Sequence, residues 1–381
     1  MTLRALLLYF LRLGTLGFGG PIALAGAMQR DLVEERAWFS RDDYVRGLAL
    51  AQLAPGPLAA QLAMYLGWLR GGALGAALVG IAFVLPSLVM VLAISYFYTR
   101  NMSAYLGAAF YGIGAAVIAL IARSTWKLVK LTLARDVMLW IIFAVNAIAT
   151  AITEREVLLL ILASGLVMLL RRPPTCHPEP VEGSPSSREA GDSSPSSRLR
   201  NDTMLSVPLI EIGWFFAKAG AFVFGSGLAI VPFLYGGVVV EYGWLDERQF
   251  LDAVAVAMIT PGPVVITVAF IGYLLRGTPG ALMAAAGVFI PCYIFVIGPA
   301  PFYERIANNA RVLAFVNGIT AAATGAIGGA AIVLARRALI DVPTILICAG
   351  ALLVLTFVKR VPEPVVILAA GFAGFAIKTT L

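Results

Sequence analysis

The chain states one pattern twice. Gly14, Phe18, Gly19, Trp38, Pro55-Gly56-Pro57 and Arg70-Gly71 are matched in order, 206 residues later, by Gly220, Phe224, Gly225, Trp244, Pro261-Gly262-Pro263 and Arg276-Gly277. The two copies align without a gap. A period this long is not that of a solenoid, whose units run to about 20–50 residues. It confines the fold to two related halves.

The second constraint is solvent. Sixty per cent of residues are hydrophobic and 13% are charged, against about 25% charged in a soluble domain. The expected class is therefore an all-α polytopic membrane protein. Membrane chains built from two related halves place a transport site where the halves meet. Apolar segments fall at 3–28, 45–69, 72–98, 104–123, 136–152 and 156–170, then at 208–240, 251–275, 279–299, 311–334, 338–357 and 363–378. A spanning helix needs about 20 apolar residues, so the short segments near 136–170 and 338–378 read as helical hairpins. Residues 171–207 are rich in Pro, Ser, Glu and Arg and cannot bury enough apolar surface to order themselves. The division is thus a membrane half over 1–170, a hydrophilic linker over 171–207 and a second membrane half over 208–381.

The first two segments of each half are interrupted near their middles. Gly17-Phe18-Gly19-Gly20-Pro21 faces Phe224-Gly225-Ser226-Gly227 across the repeat, and Pro55-Gly56-Pro57 faces Pro261-Gly262-Pro263. Proline removes a backbone donor and pushes its predecessor out of the helical region. Broken backbone at membrane depth survives only where it is buried in protein or lines a cavity. Charge decides between crossing and turning back. If both first-half segments cross, Arg30, Arg36, Arg41 and Arg46 fall outside; if both turn back at the breaks, only Arg100 and Arg155 do. The positive-inside rule favours broken, re-entrant helices with their tips near the midplane. Either count gives an even number of crossings per half and predicts halves of parallel orientation.

These breaks are the candidate substrate-binding site. A helix starting at mid-membrane presents unpaired N–H groups and a positive dipole end, which suits an anion. New helices are expected at Leu58 and Val264, after each Pro-Gly-Pro. Gly19, Gly20 and Gly225 allow close approach of backbone to a ligand. Ser226, Gln61, Thr260, Thr267 and Gln52 are polar side chains near the breaks, with Gln61 and Thr267 at equivalent positions of the 206-residue repeat. Arg12 and Lys218 stand seven residues before Gly19 and Gly225. A cation inside a membrane segment serves a site or pathway by default; the alternative is a side chain snorkelling to the headgroups. Trp38 and Trp244 precede capped helix starts at Ser40 and Asp246 and read as interfacial architecture.

Other classes find no support. The net charge of +7 comes without a basic stripe carrying aromatics, so nucleic acid is not an expected partner. Cys176, Cys292 and Cys348 show no metal-ligand spacing, and the single histidine, His177, lies in the linker. No P-loop, Gly-x-Ser-x-Gly or HExxH is present, so no catalytic residues, metal or cofactor are expected. The N-terminal apolar stretch is interrupted by Arg12 and belongs to the repeat, so it reads as retained. Few acidic residues lie in apolar segments, and a carboxylate proton relay is not evident.

Phe18-Gly19-Gly20-Pro21, the Trp38-Phe39 stretch and Leu53-Ala54-Pro55-Gly56-Pro57, with their counterparts at Phe224, Trp244 and Pro261, resemble the chromate ion transporter (CHR) family. The resemblance covers both halves and omits the linker. It implies chromate export from the bacterial cytoplasm across the inner membrane, chromate resistance, and sulfate as the related oxyanion. It also implies oppositely oriented halves, which the crossing count does not. The chain departs from its own first half where Gly225-Ser226-Gly227 replaces Gly19-Gly20-Pro21. Expected partners are a chromate or sulfate oxyanion, the lipid bilayer and, if the chain self-associates, a second copy in a homodimer. A transporter of another anion, or an anion channel, are the alternatives.

Overall fold

Thr2 accepts a hydrogen bond from the Ala5 N–H and starts α1 (Leu3–Leu16), which stops at Gly17. In the computed structural model of the chain, residues 2–18, 20–100, 104–133, 136–154, 158–171, 207–222, 230–302, 309–358 and 361–380 are described, and among them every regular element is helical. Helix α2 (Gly20–Gln29) runs on as a π-helical stretch, Arg30–Glu35, and returns alongside α1. The Tyr9 hydroxyl donates to Asp31 at 3.1 Å, and the Arg36 guanidinium sits 4.8 Å over the Trp38 ring and 5.5 Å over Tyr9. The first apolar segment is therefore a re-entrant hairpin with its tip between Leu16 and Gly20.

The second segment does the same. Ser40 caps α3 (Arg41–Leu53) through the Asp43 N–H, Pro55-Gly56-Pro57 makes the tip, and α4 (Leu58–Arg100) begins at the expected residue. Gly47 of α3 lies against Leu62 and Tyr65 of α4, and Arg70 reaches back to the Trp38 carbonyl and the Phe39 ring. At Gly71-Gly72 the α4 backbone leaves helical geometry. The arm over 58–70 then packs against the arm over 73–100, Gly67 on Gly75 and Met64 on Gly80. Helices α5 (Ala104–Thr132), α6 (Val137–Thr153) and α7 (Leu158–Leu170) complete the half.

The second half repeats this order. It has α8 (Leu209–Phe222), α9 (Ile230–Leu234) with its π-helical continuation Tyr235–Glu241, and α10 (Glu247–Ile259), capped by Asp246 and Gln249 acting reciprocally. After Pro261-Gly262-Pro263 come a 3-10 turn (Val264–Ile266) and α11 (Thr267–Ile297), broken at Arg276-Gly277. Helices α12 (Ala310–Ala338), α13 (Val342–Phe357) and α14 (Glu363–Thr380) follow. Four stretches, Leu58–Arg100, Ala108–Lys130, Val264–Phe302 and Arg311–Ala338, are long and apolar enough to cross a membrane. The chain is a multi-pass membrane protein.

Two expectations are corrected here. The first concerns the repeat, which loses one residue just after the Pro-Gly-Pro tips. The kink torsions match between Gly71-Gly72 (φ −144° and 57°) and Arg276-Gly277 (φ −144° and 62°), a spacing of 205. Downstream packing keeps that register: Gly14 abuts Phe83, while Gly220 abuts Val288. The cause is the first turn. The Gln61 N–H closes an α-type turn to the Pro57 carbonyl, whereas the Ile266 N–H closes a tighter 3-10 turn to Pro263. Beyond that turn Gln61 aligns with Ile266, not with Thr267.

The second correction concerns orientation. Tyr98, at the far end of α4, donates to Asp252 near the start of α10 at 2.7 Å. Tyr293, late in α11, donates to the Ala73 carbonyl at 3.0 Å, beside the bend of α4. The late part of α11 thus lies beside the start of the second arm of α4, so these equivalent arms run in opposite directions and the halves are antiparallel. Counting crossings registers only parity and charge; contacts between halves decide orientation. The last hairpins are exchanged as well: α6 and α7 pack on α12, and α13 and α14 pack on α5. Arg337 of α12 joins Glu154 at 2.5 Å, and Arg123 of α5 joins Glu363 at 3.7 Å.

Candidate functional site at the hairpin tips

The Pro261-Gly262-Pro263 tip is lodged against the first half. The Gly262 N–H donates to the Gly17 carbonyl at 2.8 Å, and Ser87 Oγ of α4 donates to the Pro261 carbonyl at 2.7 Å. Gly262 has φ +99°, and a Cβ there would run into Ser87 Oγ. A side chain is thus refused both by torsion and by space. Two tips from different halves, one at Gly17 and one at Pro261, meet here.

The Pro55-Gly56-Pro57 tip faces the second half in the same way but is held differently. Gly56 has φ +136°, and a Cβ would lie 2.5 Å from Gln61 Nε2 and 2.9 Å from Cys292 Sγ of α11. In the 205-residue register Cys292 is the partner of Ser87. It donates within its own helix to the Val288 carbonyl at 3.0 Å, with Gly220 at 3.8 Å. The Pro55 carbonyl is taken instead by Gln61 Nε2, at 2.5 Å and from its own half. Gln61 is wholly buried, and its Oε1 makes no hydrogen bond. Such an atom marks a position where ligand, water or movement completes the set.

What can this arrangement bind? The Thr260 hydroxyl is spent on the Ala257 carbonyl at 3.2 Å and Thr267 on Val264 at 2.8 Å, so neither presents its proton to an anion. The donors left are backbone. The N–H groups of Leu58, Ala59 and Ala60 precede the first helical hydrogen bond of α4, and those of Val264 and Val265 precede that of the 3-10 turn. Leu58, Ala59, Ala60 and Val265 are buried, as are Pro57, Pro261 and Pro263. Buried helix starts with free N–H groups favour negative charge.

The remaining candidates divide. Gly20 opens α2 beside the Gly17 tip. Gly19, Gly225 and Ser226 lie outside the described residues. Arg12 and Lys218 are not gathered at the tips. Arg12 shares an exposed face of α1 with Leu8 and Leu11, whereas Gly14 faces α4. Lys218, half-buried, follows the exposed Ile210 and Trp214 along α8. Gln52 is exposed. Ser87 and Cys292 were not among the expected residues. Each sits inside an apolar run, and at a spacing of 206 Ser87 pairs with Tyr293, so the repeat conceals their relation.

The profile described as chromate transporter matches the chain twice, over residues 4–169 and 210–375. The chain belongs to the chromate transporter family. It is 54% identical over 374 residues to a chromate transport protein of Cupriavidus metallidurans, covering 98% of this chain and 92% of that one. A probable chromate transport protein of Synechococcus elongatus is 52% identical, with 98% and 95% covered. A chromate transport protein of Pseudomonas aeruginosa is 34% identical, with 97% and 91% covered. No solved structure matches the chain. Both family matches contain a pair of re-entrant hairpins, so the tips described above belong to the part of the chain that the family shares.

Proposed function

We propose that the chain carries chromate, a tetrahedral dianion, out of the bacterial cytoplasm across the inner membrane by alternating access, and so confers chromate resistance. The observation that carries this reading is the meeting of re-entrant tips from antiparallel halves at buried helix starts. Antiparallel repeats can exchange conformations, which is the usual basis of access alternating between faces. Free N–H groups at Leu58–Ala60 and Val264–Val265 supply donors without a buried side-chain charge. The substrate-binding set is accordingly the tips and the first turns after them. The inside-negative potential favours anion exit by about 2.3 kcal/mol per charge per 100 mV. The names of the relatives in Cupriavidus metallidurans, Synechococcus elongatus and Pseudomonas aeruginosa support chromate as the oxyanion.

The test is chromate accumulation in cells with and without the inserted protein, at several sulfate concentrations. Lower accumulation, restored by Gly262→Ala, is the expected result. Higher accumulation with sulfate competition would make the chain a sulfate-type uptake system. Flux beyond transporter turnover, without counterflow, would make it a channel.

A further inference from the structure

The second half holds a carboxylate for which the tips have no use. Asp252 lies in the second turn of α10 and is 3% exposed. Its Oδ2 accepts a hydrogen bond from Tyr98 of α4, whose ring is packed between Phe110 of α5 and Phe270 of α11 at 5.7 and 5.1 Å. A carboxylate this buried is costly and calls for a function. The equivalent residue in the first half is Arg46, and it is exposed. Asp252 is therefore not demanded by the architecture the halves share.

Asp252 also lines a cavity of about 350 Å³. The charged and titratable groups around that cavity are mostly committed elsewhere. Arg337 of α12 pairs with Glu154 and Glu247. Tyr111 of α5 donates to Asp341, and Lys378 of α14 stands 5.1 Å over the Tyr111 ring. Arg248, on α10 itself, is exposed at the cavity and is the cation next in line for Asp252. From α11 the neighbour is the apolar Phe270, and Tyr235, in the π-helical stretch after α9, packs on Phe250 of α10 at 5.4 Å. The same helix that carries Asp252 ends at Thr260 and the latched Pro261-Gly262-Pro263 tip.

We propose that Asp252 is a proton-binding site of the transporter, filled from water through this cavity and coupled along α10 to the Pro261-Gly262-Pro263 tip. This rests on the transport reading above. A hydronium ion reaching the cavity breaks one of its O–H bonds and leaves as water, one O–H bond forms on Oδ, and the negative charge of Asp252 is removed. Charged Asp252 accepts strongly from Tyr98 and ties α10 to the first half. Neutral Asp252 accepts weakly and releases it. The tip then moves in one protonation state and is held in the other, so each anion crossing is linked to one proton.

The full-length protein in proteoliposomes tests this, with labelled chromate and labelled sulfate as probes. For one coupled proton, each unit of imposed pH gradient changes accumulation about tenfold. Asp252→Asn is expected to keep anion counterflow without a gradient and to lose gradient-driven accumulation. Tyr98→Phe is expected to keep gradient drive with a displaced pH profile, which a purely structural hydrogen bond would not do. Gradient-driven accumulation by Asp252→Asn equal to the parent's would overturn the proposal. If Asp252→Asn does not assemble, Asp252→Glu decides: a displaced pH profile supports the site, and an unchanged one overturns it. If the parent carries neither anion, the transport reading fails, and infrared titration then reads Asp252 alone. A carboxyl C=O band that titrates in the parent and vanishes in Asp252→Asn keeps the proton site; its absence from the parent removes it.

Discussion

The two Pro-Gly-Pro tips have the same sequence and different restraints. The second-half tip is fastened across the interface, by Ser87 to the Pro261 carbonyl and by the Gly262 N–H to Gly17. The first-half tip is fastened within its own half, by Gln61 to Pro55, and meets Cys292 of the other half at Gly56. One residue's difference in the following turn produces the contrast. An α-type turn brings Gln61 under Pro55, while the 3-10 turn puts the apolar Ile266 in its place. Among the described residues a duplicated sequence has thus become an asymmetric pair, with the Pro261 carbonyl held from the other half and the Pro55 carbonyl held from its own.

Orientation gives an all-or-none test. Single cysteines replacing Arg36 and Arg248 should be labelled by an impermeant thiol reagent from opposite faces of the membrane. Labelling from one face would return the halves to a parallel arrangement. The largest graded effect is expected from Gly262→Ala. Its φ costs an L-residue about 1–2 kcal/mol, and its Cβ would collide with Ser87 Oγ. Uptake assays at matched expression should show loss of transport. Gly56→Ala should be milder, because the atoms it meets are the ends of the Gln61 and Cys292 side chains. The opposite ranking would break the comparison.

Ser87→Ala follows. It leaves the Pro261 carbonyl without its side-chain donor, at a cost of about 1–3 kcal/mol for a buried group, and thermal unfolding in detergent should fall accordingly. Cys292→Ala should cost less, since Cys292 holds no carbonyl of the opposing tip. Gln61→Leu comes next. It releases the Pro55 carbonyl and removes the unpaired Oε1, and these changes oppose one another in stability. The effect to seek is a change in transport rate with little change in melting. Arg12→Gln together with Lys218→Gln should alter transport least, because both lie on outward-facing parts of α1 and α8. Abolished transport in that double variant would restore these cations to the site.

Much of this was legible in the residues. Gly and Pro at the breaks forbid a continuous helix whatever surrounds them, so the hairpin tips and the helix start at Leu58 follow from local chemistry. Ser40 and Asp246 cap as their types dictate. Gln61 was found because a polar side chain beside a Pro-Gly break is conspicuous in an apolar run. Ser87 and Asp252 were missed for opposite reasons. Ser87 is a small residue inside a long apolar arm, where nothing nearby distinguishes it. Asp252 lies near the polar start of α10, where a carboxylate looks solvated until Tyr98 arrives from the other half.

The sequence by itself determined a polytopic helical chain of two related halves with broken helices, because composition, turn-breaking residues and an internal repeat act through local backbone chemistry and through solvent. Only the tertiary structure decided that the halves run antiparallel and that their last hairpins are exchanged. It alone decided that Ser87 reaches the tip of the other half while its counterpart Cys292 bonds within its own helix. Those outcomes depend on which surfaces meet across more than a hundred residues of chain, and a contact such as Ser87 to Pro261 leaves no trace in the spacing of either segment.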